Sequence, residues 1–217
     1  MKNSTSRIID NSIRRYPNLN VIYNSLLNAT SEIINCYING GKLLICGNGG
    51  SASDSQHIVG ELMKGFVLPR KLSIEKQEKI NELFPENSKY FIENLQSTLP
   101  AISLVGETAL TTAYANDKAP DLAFAQQVLG YGNTGDVLIA ISTSGNSSNV
   151  FYASQVAKLN GMKVISLTGN NGGKLRYLSD ILINVPSDET YIIQEYHLPV
   201  YHTLCLAVEN EFFGGDN

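Results

Sequence analysis

The chain has three histidines, His57, His197 and His202, so acid–base or metal chemistry that uses imidazole near neutral pH must draw on them. His57 and Glu61 stand four residues apart. On a helix this spacing puts both on one face with about 6 Å between Cβ atoms. Both can then reach one metal ion or one sugar; the same spacing also suits a plain solvated His/Glu pair. Gln194 and His202 are eight residues apart near the C-terminus, about 12 Å of rise on an unbroken helix. Zinc–ligand bonds are only about 2.0–2.2 Å for His and carboxylate, so one helix does not bring these two side chains onto the same ion. His197 lies between them and reads as a structural residue beside the site.

Two loops carry a different chemistry. Gly47-Asn48-Gly49-Gly50-Ser51-Ala52 follows a short apolar run and opens a helical pattern. Glycines let the backbone turn sharply and come close to a ligand, and the next helix points free N–H groups and its positive dipole end at it. A phosphate is the natural guest. The Gly-x-Gly-x-x-Ala spacing also matches the dinucleotide fingerprint, but no strand ending in Asp or Glu follows about twenty residues on to hold a ribose. No Gly-Lys-Ser/Thr is present either, so this is not a P-loop. The second loop, Ser142-Thr143-Ser144-Gly145-Asn146-Ser147-Ser148, has five hydroxyls in seven residues. Capping the next helix needs one of them; five suit a phosphate held by hydroxyls and backbone N–H groups.

The elements that position these residues alternate in type. Apolar residues recur at helical steps over 3–39, with Pro17 splitting the stretch in two. Lys42–Gly47 is a buried strand and Ser51–Phe66 a helix. Segment 67–99 is charged, holds Pro69 and Pro85, and predicts a short helix over Ser73–Leu83 inside an insertion. Strands follow at Ala101–Gly106, Asp136–Ser142, Lys163–Thr168 and Asp180–Val185. Helices are expected at Thr108–Asn116, Asp121–Gly130, Ser148–Leu159, near Lys174–Leu178, and at Thr190–Phe212. This pattern predicts an α/β fold, a five-stranded parallel sheet flanked by helices in three α/β/α layers, flavodoxin-like. Ligands bind such sheets at the carboxyl ends of the strands, near the topological switch.

Composition closes off other classes. The 217 residues carry a net charge of -4 and no basic stripe, which argues against nucleic-acid binding. No secretory signal precedes the first helix, and no apolar run is long enough to span a bilayer. Cys36, Cys46 and Cys205 are odd in number and widely spaced, so they read as buried free thiols rather than a disulfide framework or zinc ribbon. A cytoplasmic protein with no membrane partner is expected. Charged residues make up only 17% against a typical share of about 25%, a hint that surface is buried against another copy.

The order and spacing of these motifs resemble the sugar isomerase (SIS) domain family. Within it, Gly47–Ser51, His57, Glu61, Asn116-Asp117, Ser142–Ser147, and Gln194-Glu195-x-His197 with His202 are similar to the phosphoheptose isomerases. The resemblance spans nearly the whole chain and implies a single SIS domain over 1–217, with an N-terminal helical segment (1–39) and an insertion (67–99). It implies interconversion of sedoheptulose 7-phosphate and D-glycero-D-manno-heptose 7-phosphate through an enediol, on the way to nucleotide-activated heptose. It also implies one zinc per site on His57, Glu61, Gln194 and His202. Because Gln194 and His202 of one chain lie too far apart, that ligand set requires a neighbouring subunit, and a homotetramer with shared sites is expected. Glu61 is then the base and His202 the partner acid. Substrate is expected on Asn48, Gly49, Gly50, Ser51, Glu61, Asn116, Asp117, Ser142, Thr143, Ser144, Ser147 and Gln194. Two features depart from the family: 67–99 is longer and more charged, and Tyr191 and Ile192 stand where polar residues are expected.

Three other readings share the fold. One is a non-catalytic SIS protein of the type that associates with the bacterial replication initiator. Another is an isomerase of a different sugar phosphate. The third is a phosphosugar-sensing regulator, which would need a DNA-binding domain. Filled acid, base and metal positions favour an enzyme over the first.

Overall fold

The structure is a computed structural model that describes residues 1–215. Helix α1 (Asn3–Arg15) is followed by a 3-10 turn over Pro17–Ile22 and by α2 (Tyr23–Ile38). The break falls at Pro17, whose ring fixes φ and removes a backbone donor. Strand β1 (Leu43–Cys46) leads into α3 (Gly50–Met63); the insertion carries α4 (Ile74–Leu83) and α5 (Ser88–Asn94). Next come β2 (Ala101–Ser103), α6 (Thr108–Asp117), α7 (Ala123–Tyr131), β3 (Val137–Ile141), α8 (Ser148–Leu159), β4 (Lys163–Thr168), β5 (Ile181–Asn184) and α9 (Thr190–Phe213).

The five strands are parallel, in the order β2-β1-β3-β4-β5, with Leu43 opposite both Ala101 and Val137 and with Val137 opposite Lys163. This is the flavodoxin-like order, and its switch point lies between β1 and β3. Alternation along the strands separates two cores. Leu43, Ile45, Ile139 and Ile141 face Leu26, Ile33, Ile58 and Leu204 of α2, α3 and α9. Leu44, Cys46, Leu138 and Ala140 face Phe124, Val128, Val150 and Ala153 of α7 and α8. All three cysteines are buried free thiols.

Three expectations need correction. The helix expected to reach Phe66 stops at Met63, with Lys64 extended. The backbone N–H groups of Phe66, Val67 and Leu68 turn instead onto the Glu209 carboxylate (2.7, 2.9 and 3.2 Å). The strand expected to run to Gly106 pairs only to Ser103. The insertion holds a second helix, α5, which buries no residue and so leaves no apolar stripe in the sequence. Helix α9 is continuous through Pro199 and carries Gln194, His197 and His202 together. Among the described residues no helix is long and apolar enough to cross a membrane.

His197 is fully buried in α9, with Nε2 3.4 Å from the Thr168 carbonyl oxygen at the end of β4. Burial pulls its pKa down to about 4. The unfolded chain therefore binds one more proton than the fold between the ordinary value near 6.5 and about 4. Stability is complete above that window and falls as pH drops through it, by about 3 kcal/mol. Urea unfolding at pH 7 and pH 5 is expected to show about 2 kcal/mol of this loss in the native protein, since pH 5 lies inside the window, and a shallower one in His197→Gln. Equal losses would contradict it.

Candidate active site

The first loop is built by β1 feeding α3. Gly49 has φ +56, and a Cβ on Gly47 would meet the Ser51 carbonyl oxygen at 2.6 Å, so both positions require glycine. Ser51 N donates to Asn48 O (3.0 Å) and Ala52 N to Gly49 O (3.0 Å), which starts the helix tightly. Asn48, Gly49 and Gly50 are exposed and Ser51 is buried. A Cβ on Gly50 would meet Gln194 Nε2 at 2.7 Å, so the Gln194 amide lies on bare backbone at the N-terminus of α3.

The second loop leaves β3 beside it. Ser142 and Ser147 share a hydroxyl–hydroxyl bond (3.0 Å). Ser147, although N-cap of α8, makes no side-chain cap bond, so the hydroxyls are not consumed by capping. Gly145 has φ +66, and Asn146 Oδ1 accepts from Lys174 N (3.0 Å). Thr143, Ser144 and Asn146 line a cleft of about 280 Å³ with Asn170 and Asp188. A reciprocal amide pair ties the loops together: Asn48 Nδ2 donates to Asn149 Oδ1 (2.8 Å) and Asn149 Nδ2 to Asn48 Oδ1 (2.9 Å). Asn149 was not singled out in the sequence, and Asn48 uses part of its amide on this brace.

Farther along α3, His57 Nε2 lies 3.2 Å from Glu61 Oε1, while Lys64 donates to Glu61 Oε2 (3.1 Å). The His202 ring stands edge-on to His57, centroids 5.1 Å apart. Its buried Nε2 has no hydrogen-bond partner among the described residues. Burial, then the facing His57, lowers the pKa of His202. Tyr201 and Asp54 brace this cluster. Tyr201 Oη donates to Asp54 Oδ1 (3.2 Å) and lies 3.0 Å from His57 Nδ1. With its proton given to Asp54, the phenol oxygen accepts from Nδ1–H. His57 Nε2 is then the lone-pair nitrogen facing the Glu61 carboxylate, and a proton or a metal ion must bridge the two. Asp54 is raised by burial, an effect that the Tyr201 bond and His57 oppose. Its spacing three residues before His57 was the available signal; Tyr201 adjoins His202 but gave none.

The chain thus assembles two clusters. One joins the loops with Gln194; the other joins His57, Glu61 and His202. Along α3 Ser51 lies about 9 Å of rise from His57 and about 15 Å from Glu61. Asn116 and Asp117 join neither. They end α6, are exposed, and bond each other (2.9 Å).

The SIS domain family matches residues 81–169 by its sequence profile. The phosphoheptose isomerase of Helicobacter pylori (strain P12) is 46% identical over 174 residues, 80% of this chain and 77% of that protein. This chain belongs to the phosphoheptose isomerase family. The family member of Shewanella pealeana is 39% identical over 195 residues, 88% of this chain and 86% of its own. Solved phosphoheptose isomerase structures agree. That from Neisseria gonorrhoeae gives a TM-score of 0.72 and that from Francisella tularensis 0.74. Each is 34% identical and covers 93% of this chain and 94% of its own.

Proposed function

We propose that this chain isomerises sedoheptulose 7-phosphate to D-glycero-D-manno-heptose 7-phosphate in heptose precursor biosynthesis. The observation that carries the reading is the His57–Glu61–His202 cluster, built by the helix that begins at the glycine-rich loop and by α9. Isomerisation moves a proton between neighbouring carbons and another between their oxygens. Glu61 takes a proton from C1 and, after exchange with solvent at the enediol stage, delivers a proton to C2. His202 gives a proton to the C2 oxygen and accepts one from the C1 oxygen. Ser51, Ser142, Thr143, Ser144 and Ser147, with the backbone of Gly49 and Gly50, hold the phosphate and so fix the reacting carbons. Asn48 bonds sugar hydroxyls, and Asn116 and Asp117, which stand outside both clusters of their own chain, do so from a neighbouring copy.

The donor chemistry fits zinc. His57 Nε2 and Glu61 Oε1 are 3.2 Å apart, close to the edge of about 3.3 Å of a tetrahedron with bonds near 2.0 Å. The buried Nε2 of His202 has no hydrogen-bond partner among the described residues and stands beside this pair, but it is not placed to make a three-ligand group with them as the side chains lie. Within one chain, among the described residues, no group of three or more His, Cys, Asp and Glu is placed to hold an ion. Gln194 of a neighbouring copy completes the set of His57, Glu61, Gln194 and His202. When bound, zinc supplies Lewis-acid polarisation of the substrate oxygens.

The same separation of clusters supports a homotetramer in which the loops of one copy face His57, Glu61 and His202 of the next. The chain functions as one SIS domain in the cytoplasm, where its free thiols stay reduced. A non-catalytic role is disfavoured by the assembled proton-transfer cluster. The test is incubation of the purified protein with sedoheptulose 7-phosphate and a panel of other sugar phosphates, with and without chelator. Turnover of the heptulose, lost with chelator and restored by zinc, is expected. Turnover of another sugar phosphate alone would overturn the substrate. Full activity in chelator would overturn the zinc.

A further inference from the structure

Arg70 and Glu209 form an ion pair with no exposed side-chain surface, Arg70 Nε to Glu209 Oε1 at 2.9 Å. Glu209 Oε1 also accepts from Phe66 N, and Oε2 from Val67 N and Leu68 N. Arg70 Nη1 donates to Leu62 O (2.5 Å) and Nη2 to Glu61 O (2.9 Å). The Phe213 ring covers the guanidinium at 4.9 Å. Arg70 therefore caps the last turn of α3, where helix carbonyls lack intrahelical partners, through the carbonyl of Glu61 itself. Glu209 lies seven residues, nearly two helical turns, past His202, on the same face of α9.

A buried ion pair is poor evidence for stability, because an apolar filler of equal volume often serves as well. An apolar filler does not fix direction, whereas these six hydrogen bonds do. We propose that the Arg70–Glu209 pair is a positioning device that holds the α3 end bearing Glu61 and the α9 face bearing His202 in register for proton transfer. This rests on the acid–base roles given to Glu61 and His202.

The test is steady-state kinetics and thermal unfolding of Arg70→Lys, Glu209→Gln and the volume-conserving double variant Arg70→Met/Glu209→Met, beside Glu61→Gln. The double variant is expected to unfold cooperatively yet lose kcat by about 10- to 100-fold. Its KM should stay within about threefold, because neither phosphate loop touches the pair. Wild-type kcat in the folded double variant, a rise in KM alone, or activity lost only where the protein unfolds would overturn the proposal. Wild-type turnover in Glu61→Gln would instead overturn the acid–base reading, so the two failures are distinct.

Discussion

Glu61→Gln is expected to lower isomerase turnover by about 10²- to 10⁴-fold, the range a positioned general base supplies. The substitution keeps the shape of the side chain and an oxygen for Lys64, and removes the basic oxygen that faces His57 Nε2 at 3.2 Å. Glu61 is half-buried at the edge of the core, so the fold should survive. His202→Ala is expected to fall as far. Its Nε2 has no hydrogen-bond partner among the described residues, so truncation breaks no hydrogen bond with them and costs mainly ring contacts with His57, Phe66 and Tyr201. Circular dichroism separates loss of chemistry from loss of fold. Near-wild-type turnover in either folded variant would contradict the assignment.

Gly145→Ala is expected to damage the second loop more than any other single-methyl change there. Gly145 sits at φ +66, where a side chain is strained, and its Cβ would run into the Gly172 carbonyl oxygen. Gly173, at φ +51, would strike the Ser144 and Gly145 carbonyls in the same way. The second loop and the segment that follows β4 (169–175) therefore touch backbone to backbone, joined by Leu175 N to Gly145 O (3.1 Å) and Gly169 N to Thr143 O (2.8 Å). Backbone cannot swing aside as a flexible side chain would. The left-handed conformation and the clash together should cost about 2 kcal/mol or more. The displaced serines should raise KM for the sugar phosphate by about tenfold. Unchanged KM and unchanged unfolding midpoint would show that the loop does not hold the substrate.

What the sequence revealed follows from what repeats locally. Leu43–Cys46 and Val137–Ile141 are unbroken apolar runs, and their burial on both faces of the sheet is the physical reason. The two glycine- and hydroxyl-rich loops are contiguous, so their chemistry was legible as short strings. The i,i+4 pair of His57 and Glu61 could be read from helical geometry alone. Contacts between distant parts of the chain could not. Asn48 meets Asn149 across 101 residues, and Arg70 meets Glu209 across 139. Nothing periodic marks either pair. The same long-range packing stopped α3 at Met63, because Glu209 captures the next backbone N–H groups. Asn116 and Asp117 came from the family resemblance rather than from local chemistry, and in one chain they stand exposed at the end of α6.

The central claim is that this chain moves a proton between C1 and C2 of a heptose phosphate through Glu61. Proton NMR of sedoheptulose 7-phosphate incubated with the zinc-loaded protein in D2O tests it most directly. An aldose carrying solvent deuterium at C2, formed by the native protein and not by Glu61→Gln, is the result expected. No aldose, or an aldose with only protium at C2, would contradict it.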